Sequence, residues 1–201
     1  QQIDTIVFAC SKSFKTSEIL KNLEYVKSWF NKKPEINFED HLYGISANAS
    51  AMTDFGIKES NQFHLLESLG GRFSLWSSIS LPALVNADYE SYLDLLHGAH
   101  LADEYTKNTP WEFNISVLMA LLSIWNRNSL DISNHGIFTY HFKLRSLTKY
   151  IAQLSMESNG KSINFDSEMS PFMTTPLIWG GYGIENQHST FQWLMQGKTE
   201  T

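Results

Sequence analysis

Four residues near the front of the chain, Ser11, Lys12, Ser13 and Thr16, stand between a continuous apolar run and the start of a helical pattern. A helix N-terminus that follows a buried strand offers backbone N–H groups and the positive end of the helix dipole, which suits an anion. Hydroxyls and a lysine there would complete a phosphate cradle; an ordinary N-cap with a solvated lysine uses the same residue types. Gly70-Gly71-Arg72-Phe73-Ser74 joins a glycine pair, which permits close backbone approach, to an arginine able to stabilise a negatively charged intermediate. A tight turn with a surface arginine is the plain alternative. Glu157, in Met156-Glu157-Ser158-Asn159-Gly160-Lys161, falls where a helical pattern stops, with Asn159-Gly160 expected to supply a left-handed C-cap. The dipole there makes a carboxylate more basic, as a general base beside a carbonyl requires; a merely solvated glutamate is the other reading. His188 closes the glycine-rich stretch 179–188, read as a loop, where a histidine serves either as an acid/base group or structurally.

Two further groupings imitate chemistry. His97 and His100, with Asp103 and Glu104 nearby, have metal-ligand spacing on a helix. No further convergent ligand is evident, so packing or hydrogen bonding is the favoured role and no metal is expected. Cys10 ends an apolar strand and reads as a small core residue.

These residues need elements to position them. Residues 6–10 read as a strand buried on both faces of a parallel sheet. A helix is expected over 16–30, with Ile19, Leu20, Leu23, Val26 and Phe30 on one face. Short strands fit 42–46 and 63–66, and a helix is expected to begin near Phe73. Helical spacing recurs over 87–105 and 111–127, where 115–125 is apolar nearly all round and is expected to be a core helix. Residues 136–140 are strand-like and 144–156 helical. Strands alternating with helices indicate an α/β layered sandwich. The glycine-rich stretch lacks the third glycine of a dinucleotide fingerprint and has no clear long strand before it, so a dinucleotide site is a poor fit.

Composition sets the bounds. The chain has 201 residues, 42% hydrophobic and 13% aromatic, enough for a packed core in one domain or parts of two. One cysteine excludes an internal disulfide framework, which makes the cytoplasm the simplest compartment. No uncharged apolar run reaches membrane-spanning length, and no membrane partner is expected. A net charge of -6 argues against general nucleic-acid binding while leaving room for an anionic small substrate in a locally positive cleft. The chain enters a strand almost at once and stops soon after a helical run, so it is expected to be an internal piece of a longer protein.

The order of the motifs is more specific than any one of them. Ser11-Lys12-Ser13, then Gly70-Gly71-Arg72-Phe73-Ser74-Leu75-Trp76-Ser77, then Gly98-Ala99-His100-Leu101-Ala102-Asp103, then Met156 to Lys161, then Gln187-His188 resemble the glucose-6-phosphate isomerases over essentially the whole chain. The resemblance implies parts of two sugar-isomerase (SIS) type three-layer αβα sandwiches with parallel sheets: 1–86 from the first, 87–112 a helical connection, 113–201 from the second. It implies that Ser11, Lys12, Ser13 and Thr16 bind the substrate phosphate, that Arg72 stabilises a cis-enediolate, and that Glu157 shuttles the proton between C1 and C2. It further implies that His188 assists ring opening from the neighbouring subunit of a homodimer, that Glu18 orients that histidine, and that neither metal nor organic cofactor takes part. Ser13 stands where many relatives have threonine, which keeps the hydroxyl. Gly183-Ile184-Glu185-Asn186-Gln187-His188 departs from the usual Gly-Thr-Asn-Gly-Gln-His. The family's Gly-Ser phosphate loop and its C-terminal lysine motif are expected outside these residues, so the chain alone is expected to be inactive. A non-catalytic sugar-phosphate-binding module is the alternative: it needs the cradle without Glu157.

Overall fold

A computed structural model describes residues 4–197. The chain divides into two compact units, Gln1–His97 and Gly98–Thr201. Each carries its own parallel sheet, in keeping with the α/β class read from the sequence.

In the first unit, β1 (Val7–Cys10), β2 (Leu42–Ser46) and β3 (Gln62–His64) form a parallel sheet in the order β1-β2-β3. Parallel strands need crossovers, and helices supply them. The β1–β2 connection holds α1 (Ser17–Phe30) and the single turn α2 (Phe38–His41); α3 (Ala49–Phe55) lies between β2 and β3. The apolar stripe of α1 does what its spacing dictates: Leu23 and Phe30 are buried, and Ile19, Leu20 and Val26 pack against the same core as Ala9, Phe38, Leu42 and Met52. Phe30 is fully buried, its ring 5.2 Å from that of Phe38. After β3 come two 3₁₀ turns, Gly71–Trp76 and Ser78–Ser80, and the short α4 (Leu81–Leu84). The α-helix expected from Phe73 is therefore a 3₁₀ turn that begins two residues earlier. Ser74 and Ser77 explain the tighter winding, since each hydroxyl bonds the carbonyl three residues back.

The helix α5 (Tyr89–Asn108) carries the boundary between the units. In the second unit, a 3₁₀ turn Trp111–Phe113 precedes α6 (Ile115–Asn128), so the single helix expected over 111–127 is interrupted. Asn114 is the cause: its buried side chain accepts from the Ser116 and Val117 N–H groups and starts α6 afresh. No described residue of α6 is buried, contrary to the core helix expected there. Apolar spacing measures how much surface a helix has to cover; what covers it is a separate matter.

β4 (Asn134–Thr139) pairs in parallel register with β5 (Leu177–Tyr182), and α7 (Leu147–Ala152) packs on them, with Thr148 donating to the Ile137 carbonyl at 3.0 Å. The last helix, α8, runs Gly183–Gln196. Stretch 179–188 is thus not a loop but the end of β5 followed by the first turns of α8. Gly180 shows why glycine suits a strand here: at φ 113° its backbone lies so close to β4 that a Cβ would collide with the Ile137 carbonyl. No described helix is long and apolar enough to cross a membrane.

Candidate functional site

The loop that leaves β1 is tied down at nearly every residue. Ser11 continues the ladder, its N–H donating to the Ile45 carbonyl at 3.1 Å, and it is buried. Its Oγ accepts from Phe14 N–H at 3.1 Å and lies 3.2 Å from Thr16 Oγ1. Phe14 takes a left-handed backbone, φ 53°, which drives its ring into the core against Phe55 and turns the loop back toward α1. Ser13 Oγ accepts from Lys15 N–H. The matching loop after β2 is stitched onto this one. Ser46 Oγ and Ala47 N–H both donate to the Lys12 carbonyl, at 2.9 and 3.0 Å, and Asn48 Nδ2 donates to the Ser13 carbonyl at 3.2 Å.

Between these loops lies a cavity of about 770 Å³ lined by Lys12, Ser13, Thr16, Ala47, Asn48, Ala49, Ser50 and Glu67. It opens at the carboxyl ends of β1 and β2, where parallel α/β sheets place their ligands. Thr16 is the N-cap of α1, yet its side chain caps no N–H of that helix, so the hydroxyl remains directed to Ser11 and the cavity. Lysine, hydroxyls and the positive end of a 14-residue helix suit this cradle to an anion. Of the four residues proposed from the sequence for phosphate, Lys12, Ser13 and Thr16 line this cavity, and Ser11 touches it through Thr16.

Glu18 sits in the first turn of α1. Its own backbone N–H, and then the Ser17 hydroxyl at 3.0 Å, hold its carboxyl below the usual glutamate range. Arg72 stands in the 3₁₀ turn beyond β3, its guanidinium 5.0 Å from the centre of the Phe73 ring. It does not line the cradle, whereas Glu67, from the turn just before it, does. Ala47, Asn48, Ala49, Ser50 and Glu67 are the lining residues that sequence reasoning missed. Asn48 and Ser50 had a signal: they follow an apolar strand in a Ser-x-Asn-x-Ser cluster, as Ser11, Ser13 and Thr16 do after β1.

In the second unit Glu157 closes a π-helical turn, Gln153–Glu157, that continues α7. Such turns insert an extra residue and occur often at functional sites. Gln153 Nε2 donates to Glu157 Oε2 at 3.2 Å, and Lys161 Nζ caps the carbonyls of Glu157 and Ser158, both at 2.6 Å. The left-handed cap expected at Asn159-Gly160 is not formed; neither residue has positive φ. Gly160 is needed for proximity instead, because its N–H bonds the Met156 carbonyl at 2.8 Å and a Cβ would strike that oxygen. His188 is exposed in the second turn of α8, on a helix rather than in a loop.

Comparison with known proteins places these features in a family. Residues 1–200 match the family model described as phosphoglucose isomerase. The chain is 42% identical over 196 residues to a glucose-6-phosphate isomerase of Acinetobacter baumannii, with 96% of this chain and 35% of that protein aligned. One from Pseudoalteromonas translucida is 41% identical over 195 residues, covering 96% and 36%. The crystal structure of a glucose-6-phosphate isomerase from Chlamydia trachomatis superposes with a TM-score of 0.87 at 34% identity, over 96% of this chain and 37% of that one. The chain therefore spans about a third of the length of the curated relatives it matches. With a model match over nearly every residue and a parallel-sheet cradle where its serine–lysine–serine motif falls, this chain belongs to the phosphoglucose isomerase family.

Proposed function

We propose that the full-length protein interconverts glucose 6-phosphate and fructose 6-phosphate, in glycolysis and gluconeogenesis, in the cytoplasm. The observation that carries this reading is the cradle at the ends of β1 and β2 in a chain that belongs to this family. Lys12, Ser13 and Thr16 hold the phosphate, with Ser11 fixing the Thr16 hydroxyl. His188, contributed by the neighbouring subunit of a homodimer and oriented by Glu18, protonates the ring oxygen as the C1 hydroxyl loses its proton, which opens the sugar. Glu157 then takes the proton from C2 of the aldose. The electrons left behind form the C1–C2 double bond of a cis-enediolate, whose negative oxygen Arg72 stabilises. Return of the proton to C1, with the hydroxyl proton moved from O2 to O1, gives the ketose, and no redox partner is required.

The test is isomerisation by the full-length protein in deuterium oxide, wild type beside Glu157→Gln. Wild type is expected to exchange the C2 hydrogen with solvent and to turn over. The variant is expected to bind the sugar phosphate and do neither. Binding by wild type without exchange or turnover would replace this reading by a non-catalytic sugar-phosphate-binding module. The 201-residue chain alone, at a third of its relatives' length, is expected to be inactive.

A further inference from the structure

A second polar cavity lies in the second unit, between the last turns of α6 and the start of β4. It measures about 190 Å³ and is lined by Ser123, Asn126 and Arg127 of α6, then by Ile132, Asn134, His135, Gly136 and Pro176. At about 30 Å³ per water it holds about six water-sized groups, room for a five-atom oxyanion and its hydration. The Arg127 side chain is 11% exposed. Its Nη1 reaches Asp131 Oδ1 only at 3.4 Å, and that carboxylate is 94% exposed and strongly solvated. The Arg127 Nε is buried and has no hydrogen-bond partner. A buried guanidinium donor left unmatched is costly, and such a group in a native fold requires an acceptor.

The neighbouring side chains are more exposed and leave donors available to a ligand. Among the described residues, Ser123 Oγ, the Asn126 amide and the His135 ring make no hydrogen bond, and Asn134 uses only its oxygen, accepting from Trp179 Nε1 at 3.0 Å. The wall thus offers a cation, a hydroxyl and amide donors, and Asp131 is the one carboxylate paired with the cation. The negative end of α6 opposes an anion here, and the Arg127 charge offsets it.

We propose that this cavity is a binding site for a small oxyanion of phosphate size, held by Arg127 Nε with Ser123, Asn126 and Asn134 as further donors. It is separate from the cradle of the first unit, since no lining residue is shared. Nitrogen-edited NMR with selective arginine labelling reads Arg Nε–H groups, so the full-length protein is titrated with inorganic phosphate against sodium chloride of equal ionic strength. In wild type the Arg127 Nε–H and the His135 ring are expected to shift saturably with phosphate and not with chloride. The same shifts are expected in Lys12→Gln/Thr16→Ala, which removes the cradle. In Arg127→Gln the His135 shift is expected to vanish, or to need at least tenfold more phosphate; Arg127→Lys, which keeps the charge but loses the fork, is expected to fall between. An Nε–H resonance that phosphate leaves unmoved, or a His135 shift that survives in Arg127→Gln, would overturn the proposal. So would loss of both shifts in the cradle variant, or equal shifts with chloride, the mark of a water-filled cavity that responds only to ionic strength.

Discussion

Ser46, at the end of β2, donates its hydroxyl to the carbonyl of Lys12, in the loop after β1, at 2.9 Å, and is itself fully buried. The same Ser46 Oγ accepts from Asn48 N–H at 3.0 Å, so one hydroxyl holds both walls of the cavity in register. Ser46→Ala removes both bonds and leaves the part-buried Asn48 N–H without its acceptor. Stability is expected to fall by about 1–3 kcal/mol, read as a lower denaturant midpoint. Affinity for inorganic phosphate is expected to fall with it, by calorimetry, although Ser46 does not line the cavity.

Phe14 predicts an inverted substitution order. Its ring is buried, so Phe14→Ala is expected to cost about 3–5 kcal/mol. Its backbone is left-handed, and there glycine is favoured over alanine by about 1 kcal/mol. Phe14→Gly is therefore expected to be more stable than Phe14→Ala, the reverse of the usual helix or strand result. Chemical denaturation of the two variants decides it.

Glu18 predicts a pH effect with a definite sign. Its carboxyl is held below the usual range by its own N–H and by Ser17, so the ionised form is the one that the fold favours. The contribution is complete above the ordinary glutamate value and is lost as the pH falls through the lowered folded value. Ser17→Ala is expected to move the Glu18 midpoint up, toward the ordinary value, while the backbone bond keeps it from arriving there. Carboxyl-carbon NMR measures the midpoint directly.

Gly180→Ala is expected to cost about 2–4 kcal/mol. The new methyl would meet the Ile137 carbonyl, and φ 113° is unsuited to any residue with a Cβ. Thermal unfolding is the measurement, with loss of protection at β4 and β5 in hydrogen exchange locating the damage.

For the full-length protein, Glu157→Gln is expected to lower kcat by about 10²–10⁴-fold, the usual worth of a positioned base. Phosphate affinity is expected to be unchanged. A fall in affinity of similar size would mean that the glutamate binds rather than catalyses.

What the sequence revealed follows from which forces are local. β1, β2 and α1 were legible because their apolar residues recur at strand or helix spacing and each is bounded by polar turn residues. The serine–lysine–serine loop stood out as a candidate anion site because its chemistry sits at one helix start. Glu67 was not, since it reaches the same cavity from a separate turn after β3, and only sheet pairing brings the two segments together. Strand β5 was hidden for a related reason. Glycines lower strand propensity wherever they stand, and the closeness to Ile137 that makes Gly180 necessary is a long-range fact. The π turn before Glu157 likewise has no sequence period of its own.

That turn has a further consequence. Along an α-helix each residue rotates the next by about 100°, so one residue more or less re-aims everything beyond it. By widening over Gln153–Glu157, the helix absorbs an extra residue locally, and Glu157 faces about where an unbroken α-helix would have aimed Met156. The position of this carboxylate is thus set by residue count as much as by residue type. Deleting one residue from 153–155, so that the turn becomes α-helix, would keep every side chain of Met156 to Lys161 chemically intact. Glu157 would then keep its aim, so such a deletion separates the widened turn itself from the direction it gives the carboxylate.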